Sequence, residues 1–136
     1  MHIQVNDTTT IRSMAETFSD FYPYLKLEFY NRPPDKFNTY SEDDLIFPGK
    51  TIGEIMQAHA PAIIEILPLS KVAHIENEFM QRLGLPIQIL RKEKSHWEQT
   101  TGMNDFTLKE LNELGRSSSD EFILEEPDSE YEDEGA

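Results

Sequence analysis

The chain has 136 residues, of which 26 are acidic and 12 are basic, so its formal net charge at pH 7 is -14. Nucleic-acid backbones and anionic membrane surfaces are bound by clustered Lys and Arg, so this charge predicts neither nucleic acid nor a membrane as a partner. The chain contains no cysteine, which excludes disulfides, thiolate nucleophiles and Cys-ligated metal sites.

The beginning of the chain predicts a strand, a helix and a second strand. Residues 3–5 alternate between apolar and polar side chains, which is typical of a short strand. Apolar residues recur at helical spacing over 11–22, and Asp7 or Thr8 is placed to cap that helix. Residues 24–30 alternate cleanly, which predicts a half-buried antiparallel strand.

A capping box predicts where a short helix begins in the middle of the chain. Thr51 is followed three residues later by Glu54, and at this spacing each side chain bonds the backbone N–H of the other. We predict a helix from there to about His59. The preceding residues 31–41 contain two prolines and are predicted to be irregular, with a further strand up to Phe47 left open.

The second half of the chain predicts similar elements in a similar order. Residues 64–66 indicate a strand, and Ser70 is placed to cap a helix over 72–83. Residues 85–90 predict a further strand, and residues 96–100 are its expected hairpin partner.

Two glycines are predicted as helix ends, because glycine readily adopts the left-handed conformation that follows a last helical turn. Gly84 ends the helix over 72–83. Gly115 ends a final helix, which begins at a second capping box formed by Thr107 and Glu110.

The two halves repeat a similar pattern. The residues with an apolar counterpart 61 positions later are Ile3, Val5, Ile11, Met14 and Phe18. This suggests an internal duplication with repeats over 1–60 and 62–116, although any two α/β stretches share some apolar periodicity. We predict an α+β fold in which two split βαβ units form one ferredoxin-like antiparallel sheet with helices on one face.

The last 20 residues carry most of the charge. Residues 117–136 contain nine acidic and no basic side chains, which leaves a charge of -5 on residues 1–116. Like charges repel, so we predict a single domain over 1–116 followed by a disordered acidic tail. Within the tail, Phe122, Ile123 and Leu124 form an apolar island, for which two alternatives stay open. It is either an interaction segment that docks in a groove or on a sheet edge, of this chain or of a partner, or part of a solvated tail with a few apolar residues.

The sequence shows no constellation typical of catalysis, a cofactor or a metal. No two histidines lie three or four residues apart, as ligands on one helical turn do; they are His2, His59, His74 and His96. In a strand, Ser95 lies on the face opposite His96 and Glu98, which argues against a nucleophile–base pair. We therefore predict no catalytic residues, no cofactor and no metal site.

Aromatic residues are frequent between 22 and 47. Base stacking is disfavoured there because the nearby charges are mostly acidic. We expect most of these side chains to pack in the core and at its rim. The candidates for exposed contact residues of a protein interface are Tyr30, Phe37 and Tyr40.

Two classes of function remain open. The first hypothesis is a non-catalytic protein-interaction or regulatory module with a protein partner. The alternative is a small enzyme or ligand-binding domain whose site is assembled from dispersed residues, for example Tyr30, Arg32, Tyr40, His59 or His96. The N-terminus shows no targeting segment, so we expect a cytoplasmic protein. The oligomeric state stays open between a monomer and a homodimer.

Two segments resemble a small bacterial protein family of uncharacterised function, which we associate with Bacteroidetes-type genomes. They are residues 21–29, Phe-Tyr-Pro-Tyr-Leu-Lys-Leu-Glu-Phe, and the stretch 97–115, with its capping box at Thr107. The resemblance extends over most of residues 2–116. It implies no activity, cofactor or site residue.

Overall fold

A computed structural model describes residues 1–34, 40–56, 61–100 and 102–125. In chain order the elements are β1 (His2–Val5), α1 (Ile11–Phe21), β2 (Leu25–Phe29), a 3₁₀ turn (Glu42–Asp44), α2 (Ile52–Ile55), β3 (Ala62–Glu65), α3 (Val72–Leu83), β4 (Ile87–Glu93), β5 (His96–Gln99) and α4 (Leu108–Glu125). The predicted α+β class is confirmed, with helices and antiparallel strands mixed along the chain.

The described strands form two sheets instead of the single ferredoxin-like sheet that we predicted. β1 pairs with β3, and β4 lies between β2 and β5. In a ferredoxin-like sheet β2 and β4 would lie at opposite edges, but here they pair directly, with Leu27 opposite Ile89. Residues 87–90 of β4 are all buried, a pattern that suits a central strand with a neighbour on each side.

Both sheets and the four α-helices of the described ranges contribute to one apolar core. Its largest fully buried side chains include Phe18, Phe29 and Phe79. Phe29 of β2 meets Phe79 of α3 edge-on, with 5.6 Å between the ring centroids. This aromatic contact joins elements from the two halves of the chain.

Most helix ends follow local rules, but two caps differ from the prediction. The side chain of Thr10 caps α1 by accepting the Ser13 N–H, whereas we predicted Asp7 or Thr8. Thr8 instead bonds the Asn6 side chain in the preceding turn. Lys71 occupies the N-cap of α3, while the Ser70 hydroxyl accepts the Leu67 N–H. Thr8 and Ser70, which we predicted as helix caps, therefore form hydrogen bonds in the turns that precede the two helices.

The predicted capping boxes and the predicted end of α3 are confirmed, but α2 is shorter than predicted. Both capping boxes form as predicted. Gly84 ends α3 at φ 65°, also as predicted. However, α2 ends at Ile55, well before His59, which lies outside the described residues.

Gly115 does not end α4, and the helix continues to Glu125. A Cβ at this position would lie 2.8 Å from the Cβ and 3.0 Å from the carbonyl oxygen of Tyr24. The glycine therefore serves close packing of α4 on the start of β2. Residues 117–125, predicted as part of a disordered tail, continue this helix, and residues 126–136 lie outside the described part of the chain.

Backbone hydrogen bonds in the first half recur at corresponding positions in the second. The same is true of isolated bridges, with Thr10 opposite Thr51 and Lys71 opposite Thr107. The matching bonds, each from N–H donor to carbonyl acceptor, are Ile11 to Lys50 (3.0 Å) and Val72 to Phe106 (3.0 Å), Arg12 to Pro48 (2.9 Å) and Ala73 to Asn104 (3.1 Å), and Ile52 to Thr9 (2.8 Å) and Leu108 to Ser70 (3.0 Å).

Candidate functional site

An apolar groove lies between α1, β2 and residues 45–48. Its volume is about 570 Å³. Side chains that line it are Ile11, Ala15, Leu27, Phe29, Leu45 and Phe47. We call this site the apolar groove.

The floor of the apolar groove is the outer edge of β2. Residues on either side of Leu27 are bonded on this edge, because Ile46 N–H donates to the Phe29 carbonyl (2.9 Å) and the Ser19 hydroxyl donates to the Leu25 carbonyl (3.0 Å). Antiparallel pairing alternates, and Tyr30 N–H bonds Pro86 on the β4 side, so the N–H and carbonyl of Leu27 point to the outer edge. Among the described residues nothing bonds them there.

The rim of the apolar groove exposes large apolar side chains. Phe47 is 66% exposed and Leu45 is 38% exposed. Charges at the rim are mixed, with Lys26 and Glu28 paired at 3.6 Å. An apolar pocket beside open strand backbone can take an apolar side chain and a strand-like main chain together.

A small polar cavity lies beside α3 and β4. Its volume is about 80 Å³, and its lining includes Pro34, Tyr40, Glu76, Gln88, Thr100 and Asn104. We call this site the polar cavity. Among these residues Glu76 is the charged one, and no Lys, Arg or His is part of the described lining.

Hydrogen bonds hold the walls of the polar cavity in place. The Tyr30 hydroxyl lies 2.9 Å from a Glu28 carboxylate oxygen and 3.1 Å from the Gln88 side-chain oxygen. Tyr40 donates its hydroxyl to the Ile87 carbonyl (2.9 Å) and packs on Tyr30, with 4.3 Å between ring centroids. Burial raises the pKa of both tyrosines, that of Tyr40 to about 12, so both hydroxyls are neutral donors at physiological pH.

Glu76 is the unusual group of this cavity. It projects from α3 and has no hydrogen bond or ion pair among the described residues. Burial raises the pKa of its carboxyl group to about 7. A carboxyl group with this pKa titrates near neutral pH, whereas a solvated glutamate is already ionised there.

The structure brings together only part of the predicted site. Tyr40 lines the polar cavity, but Tyr30 is 4% exposed and is therefore not the exposed interface residue that we expected. Phe37 lies outside the described residues. The backbone of 122–124 lies in α4, while the side chains of Phe122, Ile123 and Leu124 lie outside the described part.

The other dispersed candidates do not converge. Arg32 pairs with Asp44 at 3.6 Å, and His96 pairs with Glu98 on β5, all of whose residues are exposed. His59 lies outside the described residues.

Sequence reasoning missed Glu76. Its signal was a charged residue on the core-facing side of a helix, four residues after Val72 and three before Phe79, both buried.

Within the described ranges, no group of three or more His, Cys, Asp or Glu side chains is arranged to hold a metal ion. No helix in those ranges combines the length and apolar character needed to cross a bilayer.

Comparison of the chain with protein families, curated proteins and solved structures finds no match. The resemblance to a bacterial family therefore stays a prediction.

Proposed function

We propose that this chain is a non-catalytic protein-interaction module, and that the apolar groove binds an extended segment of a protein partner. The observation that carries the proposal is the open backbone of Leu27 at the floor of the groove. A partner segment that lies along β2 gains main-chain hydrogen bonds to Leu27, and its apolar side chain is buried among those of the groove.

An internal duplication supports this proposal. The matched bridges and hydrogen bonds relate positions 10, 11 and 12 to 71, 72 and 73, an offset of 61. Two strand pairs also fit such a relation, because Ile3 of β1 lies opposite its own counterpart Ile64 of β3, and Leu27 of β2 lies opposite Ile89 of β4. Shared apolar periodicity does not by itself reproduce individual hydrogen bonds, so the agreement favours two copies related by a pseudo-twofold axis.

The duplication indicates what kind of occupant fits the apolar groove. The counterpart of Leu27 is its cross-strand neighbour Ile89. In the second half the chain itself covers this edge, since Gln99 pairs with Leu90 and the Thr100 hydroxyl donates to the Ile89 carbonyl (2.6 Å). An extended segment is therefore the occupant that the fold itself provides at the equivalent edge.

In the first half the chain leaves the edge before it reaches Leu27. Pro48 has no N–H to donate, and its carbonyl accepts the Arg12 N–H at 2.9 Å, which directs the chain towards α1. The edge opposite Leu27 is consequently free for a segment from another protein. The lining calls for one central apolar side chain in that segment.

An array of short synthetic peptides with one central apolar residue tests the proposal. We expect the full chain to bind peptides with Leu, Ile or Phe at the centre. Ala15→Arg places a long charged side chain in the groove, so it should weaken binding about tenfold or more. Asp20→Arg is the matched control, because Asp20 is an exposed residue of α1 outside the groove lining.

Hydrogen exchange adds a second readout. The Leu27 amide should exchange more slowly in the complex, because strand addition gives it a partner. Equal peptide binding by wild type and Ala15→Arg, or an unchanged Leu27 exchange rate, contradicts the proposal. A chain that is dimeric by light scattering and becomes monomeric as Ala15→Arg assigns the groove to a second copy instead. Binding that requires removal of residues 117–136 assigns it to the chain's own tail.

A further inference from the structure

We propose that the polar cavity binds a small primary ammonium group, with the carboxylate of Glu76 as its counter-ion. This inference concerns a site separate from the apolar groove and is independent of the partner segment proposed above. It rests on the shape of the cavity, on the charge of its described lining, and on Glu76, which has no hydrogen-bond or ion-pair partner among the described residues.

The charge of the cavity selects a cation. Glu76 is the charged side chain of the described lining, and no described residue forms an ion pair or hydrogen bond with it. Desolvating a carboxylate without a partner is costly, and a bound cation removes that cost. An anionic ligand is disfavoured because the described lining offers it no Lys, Arg or His.

The size and ligand count of the cavity select ammonium over a divalent metal. A volume of about 80 Å³ has room for a few non-hydrogen atoms. Calcium takes six to eight oxygen ligands, and magnesium needs near-octahedral coordination. One carboxylate and the neighbouring amides of Gln88 and Asn104 do not supply such a shell. They suit a group with three N–H donors, which needs acceptors in a few directions.

Comparison of the two halves supports a specialised site. By the offset of the matched bonds, Glu76 corresponds to Ala15, and Asn104 to Pro48, both of which line the apolar groove. The same region is thus apolar in one half and polar in the other. Tyr40, whose ring packs on Tyr30, forms part of the lining of the polar cavity.

Titration with methylammonium chloride, followed by NMR of side-chain amides, tests the proposal. We expect saturable shifts of the Gln88 and Asn104 amide signals, with a dissociation constant on the order of millimolar for so small a ligand. Glu76→Gln should weaken binding about tenfold or more, and Glu76→Asp should weaken it less, since the charge is kept. Glu98→Gln removes an exposed carboxylate and is the matched control.

Reference salts identify the other outcomes. Sodium chloride at equal ionic strength and the bulkier tetramethylammonium should produce no saturable shift. Equal shifts with sodium chloride, or undiminished methylammonium binding by a folded Glu76→Gln variant, overturn the proposal. Saturable binding of sodium acetate in place of methylammonium also overturns it, because the site would then bind an anion.

Discussion

The carboxyl group of Glu76 makes the stability of this fold depend on pH near neutrality. In the folded chain burial raises its pKa to about 7, from a reference value of 4.5. Between these two values the folded state holds a proton that the unfolded state has lost. The free energy of unfolding therefore falls as the pH rises from 4.5 to 7. The stability that the protonated carboxyl group gives the fold is fully present below pH 4.5 and is lost as the pH rises through 7.

The size of the effect follows from the same two pKa values. Each pH unit between them contributes about 1.4 kcal/mol, so the upper bound is about 3 kcal/mol. Because the carboxyl group is only partly buried, solvent screening reduces this to roughly 1–2 kcal/mol. Glu76→Gln has no proton to lose, so its free energy of unfolding should gain about that amount relative to wild type between pH 5 and pH 8.

Urea denaturation of wild type, Glu76→Gln and Glu98→Gln over this pH range measures the difference. The comparison between variants cancels the other titrating groups, and Tyr40 stays neutral because its pKa is raised to about 12. Parallel curves for wild type and Glu76→Gln would refute the reasoning. So would an NMR titration of the Glu76 carboxyl with its midpoint at the reference value.

Two further predictions concern packing and caps. Gly115→Ala should lower the free energy of unfolding by about 1–3 kcal/mol despite the better helix propensity of alanine, because its Cβ would meet Tyr24. Ser117→Ala on the exposed side of α4 is the control, and a stabilised Gly115→Ala in urea denaturation would contradict the close packing. Thr51→Ala and Thr107→Ala should each cost about 1 kcal/mol, since each hydroxyl accepts the N–H of a glutamate three residues on. A negligible cost for both in thermal denaturation would show that these caps contribute nothing.

Local patterns in the sequence determine most of the elements. The alternation over 24–30 predicts β2, and the apolar stripe from Val72 to Leu83 predicts α3 with Gly84 as its end. Both capping boxes form where their spacing predicts. These features depend on interactions within a few residues, so the sequence contains the information needed to place them.

The tertiary structure decides how those elements are used. Direct pairing of β2 with β4, and the passage of α4 over Tyr24 at Gly115, join residues that are far apart in the chain. The backbone of Leu27 stays open where the chain leaves β2 after Ile46 and the Pro48 carbonyl accepts the Arg12 N–H. Local periodicity does not specify such contacts, because strand partners and close approaches depend on the packing of the whole core.

The two candidate sites have the same origin. The sequence shows that Glu76 is charged and that Tyr30 is aromatic. Burial, which the sequence does not show, raises the pKa of Glu76 and removes Tyr30 from solvent. Burial is a property of the assembled core, which brings α3, β4 and Tyr40 around one cavity. By itself the sequence determines the α+β elements and the acidic charge, whereas the groove and the cavity arise only from packing over long distances in the chain.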